Sequence, residues 1–187
     1  DDILNMEELS LWLIDHLREN YQGTLTERYQ ITEQGTSVEV LEQIAKARGC
    51  LKKQEELLQF EHFSNDDAFE LGSFMVSYAR KHNITIAISI RLNNGCILFQ
   101  HCPDGTNLLN QKWMDRKFNF VKLMERSSLL STFTFEHDND TLETHALSNN
   151  DYALCGGGFP IRIKGSKTVI GAVIASNLYH IADHEFI

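Results

Sequence analysis

The chain has 187 residues, a length typical of one domain with an appendage. Its 17 Lys and Arg residues stand against 26 Asp and Glu residues, and the net charge of -9 repels phosphate backbones, so we expect no nucleic acid partner. Its apolar stretches are shorter than the roughly 20 residues that a membrane-spanning helix needs, and its acidic start does not resemble a secretory signal. We therefore expect a cytoplasmic protein with no membrane partner.

The cysteines are widely spaced and form no Cys-x-x-Cys pair, at Cys50, Cys96, Cys102 and Cys155. This spacing argues against a zinc module and against a dense disulfide framework. We expect free thiols in a reducing compartment.

The first 37 residues differ in pattern from the rest of the chain. Apolar residues recur at helical spacing between Met6 and Leu17, which predicts an amphipathic helix whose apolar face needs a partner. Residues 21–37 are polar and show no period, as in a linker. The pattern therefore predicts an N-terminal helix and linker over 1–37 and a main domain over 38–187.

The main domain begins with helical patterns and then changes to strands. The spacing predicts a helix from Val38 to Phe60, weakened near Gly49, and a second helix that starts at Ser64. Strict alternation from Ile84 to Leu92 predicts a strand covered on one side. An Asn-Asn-Gly turn then leads into a second strand, Cys96 to Cys102.

The second half of the domain repeats this mixture of elements. The pattern predicts a helix from Leu109 to Glu125, a strand from Ser127 to Phe135, and a polar loop over residues 136–150. A closing hairpin follows, with strands at Ile161 to Lys164 and Thr168 to Ser176. Helices interleaved with antiparallel hairpins predict an α+β layered domain with at least four or five strands.

The most informative segment is the glycine run that begins after Cys155 and ends before Phe159. Three consecutive glycines allow the backbone to pass very close to another group at the edge of a sheet. The run lacks the Walker ending and the dinucleotide fingerprint, which favours packing of a helix or a neighbouring subunit over a nucleotide cradle. Cys155 could be a nucleophile if a base or a positive dipole lowered its pKa, and a buried, inert thiol is the alternative.

Two further groups carry candidate chemistry. Trp113, Arg116 and Lys117 share one helical face, which suits a carboxylate-bearing or planar ligand and equally suits a subunit contact. Asp183 and His184, with His180, could place two imidazoles and a carboxylate on one side of a helix. Two ligands do not close a metal site, and the alternative makes Asp183 a helix cap and His184 its exposed neighbour, so we predict no metal.

From about Gln43 to Ile187 the chain resembles the HbpS-like and GlcG-like superfamily, the haem-degrading domain family, in its branch of small proteins of unassigned function. The resemblance rests on the order and spacing of blocks rather than on any single block: Asp67 to Gly72, Ile84 to Arg91, Gly105-Thr106, Trp113-x-x-Arg116-Lys117, Ser127-Ser128, Gly156 to Arg162, Gly171-x-Val173 and Asp183-His184. Relatives usually carry histidine where this chain has Cys155, which departs from the pattern.

The resemblance implies a profilin-like α-β-α sandwich around a mostly antiparallel five-stranded sheet, assembled into dimers or larger homo-oligomers. It also implies that haem or another small ligand binds to some relatives. We therefore expect an oligomeric cytoplasmic small-ligand-binding module for an anionic or planar ligand, with haem as one candidate cofactor and no demonstrated catalysis.

The predicted ligand-binding residues come from three segments of the chain: Trp113, Arg116, Lys117, Cys155, Gly156, Gly157, Gly158, Phe159, Arg162, Asp183 and His184. In this hypothesis Arg116 and Arg162 hold a carboxylate of the ligand. One alternative is a haem-handling or other oxidoreductase-type enzyme that uses Cys155 or His184. The other is a protein-interaction scaffold that uses the helix from Met6 to Leu17.

Overall fold

The computed structural model describes residues 38–187, so the predicted N-terminal helix and linker of 1–37 lie outside the described residues. The helices and strands follow in this order: α1 (Val38–Leu57), α2 (Asn65–Lys81), β1 (Ala87–Leu92), β2 (Ile97–His101), α3 (Leu108–Met124), α4 (Ser128–His137), a 3-10 turn (Glu143–His145), β3 (Gly158–Arg162), β4 (Val169–Ser176) and α5 (His180–Phe186). The α+β class is as the sequence predicts.

The strands form one antiparallel sheet in the order β2-β1-β4-β3. In the register of its centre, Ile88 of β1 lies opposite His101 of β2 and Ala175 of β4. These four strands are those of residues 38–187, and the fifth strand that the resemblance implies is not among them. A single parallel bridge, Phe60 to Ile163, adjoins the outer edge of β3, where the Phe60 N–H donates to the Arg162 carbonyl at 2.9 Å.

Strand β1 is buried on both faces, so the prediction of a strand covered on one side was wrong. Ile88 and Ile90 pack in one apolar cluster with Met75 of α2. Ala87 points the other way, into a cluster with Met114 of α3. The strand is central in the sheet and has a helix on each face. The alternating pattern marks only the face that carries the large apolar residues, so it does not reveal that the small and polar residues of the other face are also buried under a helix.

Helix α2 begins where the sequence predicts, because Ser64 and Asp67 form a reciprocal cap. The Asp67 N–H donates to the Ser64 hydroxyl at 3.2 Å, and the Ser64 N–H donates to the Asp67 carboxylate at 2.6 Å. Helix α1, in contrast, continues through Gly49 without the predicted interruption. Its buried residues Ile44 and Leu51 share a cluster with residues of α4, and this packing holds the helix across the glycine.

The segment predicted as a third strand is helix α4, so the strand prediction for Ser127 to Phe135 was wrong. The Ser127 hydroxyl caps this helix by accepting from the Leu130 N–H at 3.3 Å. The Thr132 hydroxyl donates back to the Ser128 carbonyl at 2.8 Å. The helix is buried from Ser128 to Phe133 and again at Phe135, so this segment lacks the polar stripe from which a helix is recognised. Its Thr and Phe residues favour a strand by propensity alone.

No helix between residues 38 and 187 combines the length and the apolar character that crossing a membrane requires.

Candidate functional site

The three predicted elements meet at Gly157, at the end of the loop that enters β3. Gly157 has a φ of +107°, which L side chains rarely adopt. A Cβ atom at this position would lie 2.6 Å from the Ala175 carbonyl oxygen, 2.6 Å from Lys117 Nζ and 2.9 Å from Asp183 Cβ. The glycine therefore allows α3, β4 and α5 to converge on one point of the backbone.

The two flanking glycines serve the same close packing. A Cβ at Gly156 would lie 2.3 Å from the His180 carbonyl oxygen, and one at Gly158 would lie 2.7 Å from Val121 Cγ2. The Gly158 N–H donates to the Ser128 hydroxyl at 3.0 Å. The run thus packs against helices, which agrees with the sequence interpretation of strand glycines at a close approach.

A buried ion pair lies at the centre of this convergence. Lys117 Nζ is 2.7 Å from Asp183 Oδ2, and the two side chains are only 3% and 2% exposed. The ammonium group also donates to the Ala175 carbonyl at 2.8 Å, and Asp183 Oδ1 accepts from the Leu178 N–H at 2.9 Å. Burial raises the pKa of Asp183, although the Lys117 charge opposes this rise. Because each charge is compensated by the other, the pair joins α3 to α5 and offers no free charge to a ligand.

Cys155 is partly buried beside this pair. Burial raises the pKa of its thiol, and the nearby cations Lys117 and Arg116 only partly offset that rise. A thiol with a raised pKa is protonated at neutral pH and is a poor nucleophile or metal ligand. The environment therefore favours the inert thiol.

The two histidines of α5 are both held in the neutral form. His180 Nδ1 accepts from the Gly156 N–H at 3.2 Å, which assigns the ring proton to Nε2, and burial lowers the pKa of His180 to about 4. His184 is buried, so the alternative in which it is an exposed neighbour of Asp183 is wrong, and burial lowers its pKa to about 3. His184 Nε2 pairs with Gln54 Oε1 at 3.0 Å, and its ring centroid lies 6.0 Å from that of Phe159. Asp183 sits inside α5 rather than at its cap.

Within the part of the chain that the structure describes, no three His, Cys, Asp or Glu side chains are grouped so that they could hold a metal ion.

Trp113 and Arg116 form the accessible part of the predicted site. The Arg116 guanidinium carbon lies 4.3 Å from the centroid of the Trp113 ring, in a cation-π contact. Arg116 Nε donates to the Tyr152 carbonyl at 3.3 Å. Its two terminal nitrogens have no hydrogen-bond or ion-pair partner among residues 38–187. Both side chains are partly exposed, so the guanidinium can meet a ligand from solvent.

Arg162 lies elsewhere, so the structure does not bring it together with Arg116. It donates to the carbonyls of Lys167, at 2.8 Å, and of Glu125. Glu125 caps the C-terminus of α3, nine residues beyond Arg116, which corresponds to about 13 Å along the helix axis. Arg162 is also 3.7 Å from Glu55 of α1. The two arginines cannot share one small carboxylate.

Sequence reasoning missed several residues that support the site. Tyr152 supplies the carbonyl that holds Arg116, and Gln54 of α1 holds His184. A backbone carbonyl and a glutamine 130 positions away leave no pattern in the sequence. Ser128 did have a signal, since the Ser127-Ser128 pair is one of the blocks of the resemblance, but the strand prediction concealed its contact with Gly158.

Comparison with known proteins places the chain in a family. The family model described as haem degrading protein HbpS-like matches residues 63–187, two thirds of the chain. The chain belongs to the HbpS-like family. The match includes α2 through α5 and the whole sheet, whereas α1 precedes it.

Curated relatives and solved structures agree with this HbpS-like assignment. UPF0303 protein YE1367 of Yersinia enterocolitica is 34% identical over 137 residues, which cover 73% of this chain and 80% of the relative. The crystal structure of Ybr137w protein has a TM-score of 0.70 at 24% identity, covering 81% of this chain and 91% of that one. The crystal structure of a PduOC:heme complex has a TM-score of 0.55 at 17% identity, covering 66% and 88%. These two structures share the fold.

Proposed function

We propose that this HbpS-like domain is a small-ligand-binding module whose ligand is anionic or planar. The observation that supports the proposal is the Arg116 guanidinium, stacked on Trp113 at 4.3 Å with its terminal nitrogens unpaired by residues 38–187. A guanidinium pairs with a carboxylate through two parallel hydrogen bonds, and an aromatic face offers stacking area to a planar ring. Lys117, predicted as a partner, serves the fold through Asp183 instead.

The site suits the flat ring and the carboxylates of a tetrapyrrole better than it suits an iron ion held in that ring. One structure that shares the fold is the PduOC:heme complex, and a porphyrin carries both a flat ring and carboxylates. The candidate axial ligands are unsuitable, however. His180 holds its proton on Nε2 while Nδ1 accepts from Gly156, His184 is buried, and the Cys155 thiol is protonated. We therefore assign no iron coordination to these residues.

The experiment that tests this proposal compares the binding affinities of haem and of metal-free protoporphyrin IX. If Arg116 and Trp113 carry binding, both ligands bind with similar affinity, and Arg116→Gln weakens each about 10- to 100-fold, as expected for a charge-assisted pair worth about 1.5–3 kcal/mol. Arg80→Gln is the matched control, because Arg80 is an exposed helical arginine on α2 and the substitution changes the net charge equally.

The proposal is contradicted if neither porphyrin nor any small carboxylate binds, or if the Arg116→Gln variant binds the porphyrins as tightly as the Arg80→Gln variant. It is also contradicted if haem binds and protoporphyrin does not. The last result would place an iron ligand at the centre of the site and would contradict the assignment above.

We also propose that the protein associates with itself. Asn110 Nδ2 donates to Asn177 Oδ1 at 3.1 Å, which brings the start of α3 beside the loop before α5. Exposed apolar side chains are close in sequence to these two asparagines, at Leu108, Leu109, Leu178 and Tyr179. Exposed apolar patches of this kind mark contact surfaces. Light scattering should give a mass above that of one chain, and Leu109→Ser should lower it; a monomeric native protein would contradict self-association.

The alternative of an enzyme using Cys155 or His184 has no support from the geometry, because the thiol is protonated and the histidine is buried and neutral. The scaffold alternative depends on the helix from Met6 to Leu17 and stays a prediction, as does residence in the cytoplasm.

A further inference from the structure

A cleft lies beside Arg162, whose guanidinium donates to the carbonyl of Glu125 at the C-terminal cap of α3. It has a volume of about 430 Å³ and opens between α1, the first turn of α4 and the turn that joins β3 to β4. That volume falls in the range of pockets that hold small molecules, roughly 300–1,000 Å³. We call it the basic cleft; its charged lining consists of Lys52, Glu55, Glu56, Arg162 and Lys167.

Two ammonium groups of the basic cleft are free. Lys52, on α1, and Lys167, in the β3–β4 turn, are exposed, and neither side chain has a hydrogen-bond or ion-pair partner among residues 38–187. They belong to elements that are distant in the sequence, so the fold itself brings these two cations into the lining of one cleft. In a chain with a net charge of -9, this is a local excess of positive charge.

The carboxylates of the cleft are largely compensated. Glu55 is buried at its base, where it accepts from the Ser127 N–H at 2.7 Å and lies 3.7 Å from Arg162. Burial raises the pKa of Glu55, and the Ser127 hydrogen bond and the charges of Arg162 and Arg126 oppose this rise. Glu56 is exposed and pairs with Lys53 at 2.7 Å. Lys52 and Lys167 thus remain as the uncompensated charges.

Two further arginines lie near Glu55, and acidic groups partly offset their charge. Arg126 lies close enough to Glu55, Arg48 and Asp138 for all three charges to act on its pKa, which burial lowers. Its Nε donates to the Ser131 hydroxyl at 3.0 Å. Arg48 is one helical turn before Lys52 on α1, and its Nε is buried without a hydrogen-bond partner.

We infer that the basic cleft binds a small polyvalent anion that carries phosphate groups. Lysine ammonium groups act as point charges toward phosphate oxygens, and two of them from separate elements of one lining suit an anion that carries more than one charge. Arg162, held by backbone carbonyls and by Glu55, fixes the base of the cleft as a positioning residue. This site is independent of the one proposed at Arg116.

Titration calorimetry with inorganic pyrophosphate at low ionic strength tests the inference. Lys52→Gln and Lys167→Gln should each weaken pyrophosphate binding about three- to tenfold. Glu56→Gln should strengthen binding by a few fold, because it removes a negative charge from the rim. Lys46→Gln is the matched control, an exposed lysine of the same helix outside the lining, and it should leave the affinity unchanged.

All of these side chains are exposed, so circular dichroism should show an unchanged fold for every variant. Arg116→Gln should bind pyrophosphate normally, which separates this site from the porphyrin site. The inference is overturned if pyrophosphate fails to bind at low salt, or if the Lys52 and Lys167 variants bind it as tightly as the Lys46 variant.

Discussion

Replacing Lys117 by methionine tests whether the buried ion pair holds α3 and α5 together. Lys117 and Asp183 are 3% and 2% exposed, and their charged atoms are 2.7 Å apart. Methionine fills a similar volume but leaves the Asp183 carboxylate with its hydrogen bond from the Leu178 N–H and without its counter-charge. The substitution therefore changes electrostatics far more than packing.

The expected cost is about 3–5 kcal/mol, the usual penalty for stranding one partner of a buried pair. The loss of the Lys117 hydrogen bond to the Ala175 carbonyl belongs to the same penalty. Since domains of this size are stable by about 5–15 kcal/mol, this is a large share of the total.

Urea unfolding at neutral pH measures the effect. Lys112→Met, an exposed position on the same helix, should change the free energy of unfolding by no more than about 0.5 kcal/mol. Adding Asp183→Asn to Lys117→Met removes the stranded charge but keeps an acceptor for Leu178, and should recover roughly half of the loss or more.

The pH dependence provides a second check. Burial already raises the pKa of Asp183, and removing Lys117 raises it further. A carboxyl whose folded pKa lies above its unfolded value contributes stability below the unfolded pKa and loses it as the pH rises. The deficit of Lys117→Met should therefore shrink as the pH falls from neutral toward about 4. A cost below about 1 kcal/mol at neutral pH, or a deficit that grows on acidification, would show that the ion pair does not hold the two helices together.

Three further substitutions test the packing. Gly157→Ala should destabilise the domain by about 2 kcal/mol or more in urea unfolding, because its φ is +107° and a Cβ would lie 2.6 Å from Ala175 O. Gly49→Ala should stabilise α1 by about 0.5–1 kcal/mol, since nothing lies within 4 Å of the added atom. Cys155 should react with a thiol reagent more slowly than the exposed Cys96, because burial raises its pKa, and Cys155→Ser should remove only a slow phase.

Each of these has its own contrary result. A neutral Gly157→Ala would mean that the glycine turn yields at little cost, and a destabilising Gly49→Ala would mean that α1 needs the glycine. If Cys155→Ser removes a fast phase of the thiol reaction, Cys155 is reactive and the interpretation of an inert thiol is wrong.

Local signals predicted the fold well where they coincide with tertiary packing. The Ser64 cap, the Asn-Asn-Gly hairpin and the closing hairpin are decided by neighbouring residues, and all appear in the structure. The segment from Ser127 to Phe135 was misread because it is buried on nearly every side. A fully buried helix has no polar stripe, so only its tertiary surroundings distinguish it from a strand.

The sequence predicted which segments form the candidate site, but it did not predict which of their charged side chains are paired with one another. The site hypothesis grouped the glycine run with the Trp113 helix and with Asp183-His184, and Gly157 does lie against Lys117 and Asp183. Periodicity placed Lys117 beside Trp113 and Arg116, yet one position along a helix turns a side chain from the surface into the core. That Lys117 would be compensated by Asp183, and that Arg162 would face Glu55, depends on long-range pairing that spacing cannot express.

The most direct test of the proposed ligand site is the fluorescence of Trp113. The chain has two tryptophans, so a Trp12→Phe variant reports on Trp113 alone. We expect protoporphyrin IX to quench this emission in a saturable way, with the apparent affinity reduced about 10- to 100-fold by Arg116→Gln and unchanged by Arg80→Gln. Binding detected by calorimetry without any change in Trp113 emission would contradict the proposed site, because the ligand would then lie away from Trp113 and Arg116.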